Sequence, residues 1–316
     1  MASDWGSSSG NWPACITKAA SKQTYYTIRL FVDRDRVADA YSAYAYFRWL
    51  DDMLDENLID AGKRVAFVQR QRTLVERAYA GAWPPDLAPE ERILAKLIAR
   101  HPQPGSGLHI YIQNMLAVMA FDADRHGKLV SQCELDTYTQ HLAVAVTEAL
   151  HYFIGCDQYA PNDTTRYLAV SAAHVTHMLR DTAEDLAAGY YNIPREYLET
   201  YGISPWDMSS SAYRRWVRER VQLAQDGFRA GKVYLAQVEN WRCRLAGYAY
   251  MARFEGVLTA ISREGYQLRP AYNERKTVRG GLRIGASVLS LMLRNRPPQG
   301  AGGPAVTGTR KRLSVG

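Results

Sequence analysis

The chain has 316 residues, 47% of them hydrophobic and 22% charged, with a formal net charge of +7. Such a chain can bury a large core, and no run reaches the ~20 uninterrupted apolar residues of a membrane span. Its positive charge is scattered arginine by arginine rather than interleaved with aromatics, which argues against a nucleic-acid partner and suits pairing with phosphate groups. Cys15, Cys133, Cys156 and Cys243 stand far apart with no C-x-x-C pair. That argues against zinc and for a reducing cytosol.

Residues 1–16 are Ser/Gly-rich, lack the apolar stretch of a signal peptide and read as disordered. From there the apolar spacing predicts helices over 19–31, 34–58, 62–80, 89–100, 105–125, 134–156, 163–188, 194–200, 211–241, 244–265 and 278–294. Pro84-Pro85, Pro102, Pro104, Pro161, Pro205 and Pro270 fall in the gaps. Asp163 reads as the N-cap of the 163–188 helix. The tail 297–316, with its Gly, Pro and basic residues, reads as disordered. There is no phosphate-binding glycine loop, no repeat and no strand–helix alternation. The expected architecture is all-α, one bundle domain over 17–296.

Two of these helices carry acid-rich runs. The 34–58 helix holds Arg48-Trp49-Leu50-Asp51-Asp52-Met53-Leu54-Asp55-Glu56, and the 163–188 helix holds His177-Met178-Leu179-Arg180-Asp181-Thr182-Ala183-Glu184-Asp185. Asp51 and Asp55 fall one helical turn apart; His177, Asp181 and Asp185 form an i, i+4, i+8 stripe flanked by Glu184. Like charges so placed repel by roughly 0.2–0.5 kcal/mol per exposed pair. A lone run of this kind ordinarily marks a solvated helix end. The second run lies among Ala169, Val170, Ala172, Ala173, Val175 and Leu179, which a solvated face does not need. Facing each other across a cavity, the two runs would hold hard divalent cations, which take oxygen ligands. Magnesium prefers one or two carboxylates plus phosphate oxygens and water, so the expected ligand is a diphosphate bridged by two or three Mg²⁺. Arg48 and Arg180 would steady the carboxylates or bind phosphate oxygens.

The stretch from Asp39 to Glu56 resembles the first aspartate-rich motif of the squalene/phytoene synthase family. Thr176 to Asp185, followed by Gly189 and Ile193-Pro194, resembles its second. Glu134-Leu135 with Tyr138, and Gly265-Tyr266 near the end, agree in order and spacing, so the resemblance covers roughly residues 20–290. It implies an all-α isoprenoid synthase of the class I terpenoid synthase type, with a central cavity. It implies that isoprenyl diphosphates, farnesyl diphosphate foremost, bind through Mg²⁺ and are condensed head to head by way of an allylic carbocation. A cyclopropylcarbinyl diphosphate forms and is ionised again in some members, with NADPH as reductant. Carried over by position, Asp51, Asp52 and Asp55 bind metal on one side and Asp181 and Asp185 on the other. His177 and Glu184 are candidate ligands beside them. Arg48 and Arg180 hold diphosphate or the carboxylates. Tyr44 lines the cavity near the cation, and Ser21, Lys22, Thr24 and Tyr25 match a phosphate-contacting turn. Phe47 and Tyr138 are placed near the acidic faces by helical phase.

The chain departs from the family at several points. His174 and His177 stand where Gln and Asn are usual; neutral imidazole can ligate Mg²⁺, though oxygen is preferred. Gly189-Tyr190-Tyr191-Asn192-Ile193-Pro194 lacks an expected arginine and tyrosine. Val144 and Thr147 replace small residues on the central helix and narrow the cavity. Two other readings therefore stay open: a terpene synthase ionising one prenyl diphosphate, and a non-catalytic helical scaffold. Leu282 to Arg296 has the pattern of a packed closing helix, or of one lying on an anionic membrane surface. The expected location is cytoplasmic, with peripheral attachment to the inner face of the membrane as the variant.

Overall fold

The structure, a computed structural model, describes residues 12–57, 60–155 and 159–272, with backbone only at 56 and 57. Among the described residues eleven α-helices follow one another: α1 (Trp12–Ala20), α2 (Lys22–Phe31), α3 (Val37–Asp52), α4 (Ala61–Tyr79), α5 (Pro89–Arg100), α6 (Gly107–Arg125), α7 (Gln132–Phe153), α8 (Leu168–Ala187), α9 (Arg195–Tyr201), α10 (Ser211–Gln237) and α11 (Trp241–Arg263). A 3-10 turn, Arg34–Arg36, precedes α3, and a π turn, Met53–Asn57, ends it. No strand occurs among the described residues. The all-α expectation is met.

Local chemistry moves several expected boundaries. Residues 12–16, expected to be disordered, are helical: α1 starts at Trp12 and buries Ala14 and Thr17, packed on α3, while residues 1–11 lie outside the described residues. The single helix expected over 19–31 breaks at Ser21. That residue is extended, and its Oγ accepts a hydrogen bond from the Thr24 N–H at 3.2 Å, starting α2 afresh. Asp163 does not cap α8. Its Oδ1 closes a short turn by accepting from the Thr165 N–H at 2.8 Å, and α8 begins only at Leu168. Asn240 accepts from the N–H groups of Arg242 and Cys243, so α10 stops at Gln237 and α11 starts at Trp241. At the head of α7, Ser131 and Glu134 satisfy each other's backbone N–H groups in a capping box.

Helix α8 sits centrally, packed on α7, α10 and α11, while α6 joins α7 to α4 and α3 rests on α1 and α5. The α8–α10 contact is backbone-close. A Cβ built at Gly231 would fall 2.6 Å from the Ala169 Cβ, and one at Gly227 would fall 2.9 Å from the Ala172 Cβ. One apolar cluster runs from Ala14 to Tyr272 and takes residues from every helix. A buried polar anchor ties α3, α4 and α5. Tyr46 Oη donates to Gln71 Oε1 at 2.9 Å, Gln71 Nε2 donates to Glu91 Oε1 at 2.8 Å, and Glu91 also accepts from the Ala88 N–H. Fully satisfied groups of this kind fix one register of packing. No helix among the described residues is long and apolar enough to cross a membrane. The expected 278–294 helix, the tail 297–316 and Cys156 lie outside the described residues.

Candidate active site

The first acidic run spans the end of α3 and the π turn. Arg48, one turn before it, donates to Asp51 Oδ2 at 3.0 Å and to Asp52 Oδ1. Asp55 lies in the wider π turn, one turn beyond Asp51, and its charge still acts on the Asp51 carboxylate. Asp51 is pushed up to about 6, first by burial and then by Asp55, with Asp122 and Asp52 adding to the repulsion that Arg48 only partly offsets.

The second run keeps α-helical spacing on α8. His177 Nε2 lies 2.8 Å from Asp181 Oδ2, and Arg180 pairs with both oxygens of the same carboxylate. Burial raises the pKa of Asp181, but these two donors more than offset it and hold the group well below the usual carboxylate range. Asp185 behaves oppositely. Burial and Asp181 push it up to about 6, against hydrogen bonding from Asn192 and the more distant charges of Arg125 and His177. Glu184 is exposed and makes no ion pair or hydrogen bond with the others.

Side chains from α6 and from the segment after α8 join the runs, and the sequence reading missed them. Asp122 accepts from Arg125 Nε at 2.8 Å and from Tyr138 Oη at 3.0 Å. Arg125 Nη1 donates to Asn192 Oδ1 at 2.9 Å, and Asn192 Nδ2 donates to Asp185 Oδ2 at 2.6 Å. The Arg125 guanidinium also lies 4.9 Å from the Tyr190 ring centroid, 5.0 Å from Tyr138 and 5.4 Å from Phe121. Asp51 of one run and Asp185 of the other thus flank a single half-buried Asp122–Arg125 pair. The signal was present: Asp122 and Arg125 are i, i+3 on a helix whose other residues are mostly apolar.

The remaining candidates divide. Tyr44 is half-buried, with its hydroxyl in hydrogen-bonding range of Thr24 and Ser21 and close to Arg48, so the N-terminal turn does reach the first run. Tyr25 stacks on Tyr41 at 5.4 Å, and Lys22 points to solvent. Phe47 is buried, with its ring edge-to-face against Tyr46 and Tyr111. Tyr138 has its ring face occupied by Arg125. His174 is buried, 4.9 Å from Tyr138 ring to ring, with no hydrogen-bond partner at either nitrogen. Burial, His177 and Arg125 lower its pKa to about 3. Thr147 is buried with its hydroxyl unpartnered, and Val144 is partly exposed.

The carboxylates of Asp51, Asp52, Asp55, Asp122, Asp181 and Asp185 outnumber the guanidinium groups of Arg48, Arg125 and Arg180. Sheltered carboxylates that raise one another's pKa fit a hard divalent cation. Among the described residues no three His, Cys, Asp or Glu side chains close into a cage. An ion held by one or two of them would complete its shell with phosphate oxygens and water.

A sequence model of the squalene/phytoene synthase family matches residues 17–280. A presqualene diphosphate synthase of Rhodopseudomonas palustris is 25% identical over 195 residues, 62% of this chain and 66% of that protein. One from Zymomonas mobilis is 28% identical over 203 residues, 63% of this chain and 64% of that protein. The matches thus span just under two thirds of these relatives' length. Among solved structures, a squalene synthase from Alicyclobacillus acidocaldarius superposes with a TM-score of 0.66 at 24% identity, covering 82% of this chain and 95% of that one. A dehydrosqualene synthase solved with a ligand gives 0.68 at 17% identity, covering 90% and 96%. At these identities the likeness is one of fold.

Proposed function

The chain belongs to the squalene/phytoene synthase family, and on that footing we propose that it condenses two molecules of farnesyl diphosphate head to head into a cyclopropylcarbinyl diphosphate. The observation that carries the reading is the half-buried Asp122–Arg125 pair flanked by Asp51 from one acidic run and Asp185 from the other. The names of the two curated relatives support the product class.

In the proposed reaction the C–O bond of one allylic diphosphate breaks and its electron pair leaves on diphosphate. The resulting carbocation takes the double bond of the second molecule, and loss of a proton closes the three-membered ring. Magnesium, when bound, neutralises charge on the departing diphosphate; Asp51, Asp52 and Asp55 would hold it on one side, Asp181 and Asp185 on the other. The chain's own residues do the positioning. Arg48 and Arg180 hold Asp51, Asp52 and Asp181 in place by charge-assisted hydrogen bonds. Asn192 aims Asp185, and Arg125 fixes Asn192. Tyr44, free of stacking by a guanidinium, is the ring best disposed to face a cation near the first run.

The test is incubation of purified protein with farnesyl diphosphate and Mg²⁺, with and without NADPH, followed by mass spectrometry. The reading expects Mg²⁺-dependent diphosphate release and a C30 diphosphate in both arms. A C15 hydrocarbon or alcohol would instead make the chain a terpene synthase. No diphosphate release and no Mg²⁺-dependent ligand binding would make it a scaffold.

A further inference from the structure

Helices α7, α8 and α10 leave a groove of about 950 Å³ between them. Ser171 and Val175 of α8 form its floor, on the side of α8 that helical phase turns away from His177 and Asp181. Leu135 of α7 and Leu223 of α10 form its walls, and Leu223 is left 48% exposed. Along α8 the groove reaches from Leu168 to Leu179, about 17 Å at the rise of an α-helix.

The charge of the groove is negative. Asp136, Asp163 and Asp226 line it against one cation, Arg220. Asp226 pairs with Arg229, but Asp136 accepts only from the Gln132 amide and Asp163 only from Thr165, both neutral. These two carboxylates stand towards opposite ends. Tyr138 meets His174 and Glu148 meets Tyr167, so α7 and α8 run antiparallel. Asp136 therefore lies beside the C-terminal half of α8, while Asp163 precedes its first turn.

One stretch of the chain, outside the described residues, has the complementary pattern. At helical spacing Leu282 to Leu293 is apolar over more than half of its circumference, with Arg283, Ser287 and Ser290 on one narrow strip that Arg294 continues. As a helix it is also about 17 Å long. An apolar arc that wide needs cover on more than one side, as three helices round a groove provide; a helix lying on a bilayer keeps a broad charged face. The described chain ends within reach. Tyr266 lies on the Arg218 guanidinium at 4.8 Å, and Arg218 stands across α10 from Arg220 of the groove. Tyr272 folds back on that turn, its Oη accepting from the Arg269 N–H at 3.0 Å. Residues 273–281 can span up to about 30 Å, more than twice the thickness of a helix, about 10–12 Å. Gly227 meets Ala172 and Gly231 meets Ala169, so α10 runs antiparallel to α8 and Arg218 stands towards the Asp136 end.

We propose that residues 282–294 close this groove as a helix antiparallel to α8, with Arg283 at Asp136 and Arg294 at Asp163. The groove takes the apolar arc, and its two carboxylates without a cationic partner take the arginines that flank that arc. This closure is separate from the proposed prenyl diphosphate chemistry and does not rest on it.

The experiment is hydrogen–deuterium exchange on the full-length protein, read by mass spectrometry on peptides covering 282–293. It is run at two protein concentrations, with and without phosphatidylglycerol vesicles. Exchange at least about tenfold slower than in the isolated peptide is expected, equal at both concentrations and present without vesicles. Val175→Trp, which puts a large ring on the groove floor, should abolish this protection. Asp136→Arg, at an exposed position, should weaken it about two- to fivefold, and Arg283→Asp added to it should restore it. Should Val175→Trp fail to fold, the paired reversal of Asp136 and Arg283 decides. Absent protection, protection that needs vesicles or rises with protein concentration, or protection indifferent to Val175→Trp or to Asp136→Arg overturns the proposal.

Discussion

Replacing Arg125 by methionine keeps the side chain's bulk and removes its charge. The lost groups are a hydrogen bond to Asp122 at 2.8 Å, one to Asn192 at 2.9 Å, and the guanidinium against the rings of Tyr190, Tyr138 and Phe121. Only Tyr138 would then donate to the sheltered Asp122 carboxylate. Removing one member of a buried ion pair costs about 3–5 kcal/mol, and since the Asp122 side chain keeps 24% exposure the lower end applies, about 3 kcal/mol in urea unfolding at neutral pH. The pH dependence has a definite sign. Burial already raises the Asp122 pKa above the ordinary aspartate value, while Arg125 pulls it down. Without Arg125 it rises further. A carboxyl whose folded pKa is raised takes its proton more readily when folded, so stability is regained as pH falls through that value. The deficit of Arg125→Met should therefore shrink from neutral pH towards pH 5. Adding Asp122→Asn should recover roughly 1–2 kcal/mol, because the stranded charge is gone. A neutral-pH loss below about 1 kcal/mol, or strictly additive single substitutions, would refute the idea that this pair ties the two acidic runs together.

Asp52→Asn, at a half-exposed carboxylate, is expected to lower Mg²⁺-dependent diphosphate release at least about 100-fold while thermal melting stays close to that of the unmodified protein; full activity would remove Asp52 from the metal set. His174 is buried and its pKa is lowered from 6.5 to about 3, so folding favours its neutral form. The stability this contributes is complete above pH 6.5 and drains away as pH falls towards 3, by about 1.4 kcal/mol for each pKa unit. His174→Gln should flatten that part of the acid-unfolding curve, and an unaltered curve would show that the imidazole is not held neutral. Gly231→Ala gains about 1 kcal/mol of helix propensity but drives a Cβ to 2.6 Å from Ala169, an overpacking cost of about 1–3 kcal/mol. A net lower melting temperature is expected, partly restored by adding Ala169→Gly; a stabilised variant would mean that α8 and α10 part freely.

The helical periods of the long amphipathic segments made the all-α bundle legible, because apolar residues at three- and four-residue intervals leave few other arrangements. Boundaries were less legible where one polar side chain decided the matter. Ser21 breaks what periodicity alone reads as one helix, Asn240 moves an expected break between two helices towards the N-terminus, and Asp163 spends its oxygen on a local turn instead of a helix end. Asp51, Asp52, Asp55, Asp181 and Asp185 announce themselves because like charges at helical spacing are costly without a purpose. Asp122 and Arg125 share α6 while Asn192 lies in the segment after α8, and nothing in either stretch alone ties it to the acidic runs. Only the packing of α6 beside α7 and the path of the chain after α8 bring them together. Helical phase gives the direction of the Phe47 ring but not its neighbours, Tyr46 and Tyr111, which only the packing reveals.

The π turn at Met53–Asn57 works as a splice in the helix carrying the first acidic run. A π turn holds one residue more than an α turn for each backbone loop it closes, so it acts as a one-residue shim whose removal rotates everything beyond it. Shortening this stretch by one residue would swing Asp55 round the axis while leaving Asp51, Asp52 and Arg48 untouched. The reach of the motif's last carboxylate is thus set by backbone length rather than by side-chain identity, a dial that substitution scanning never turns.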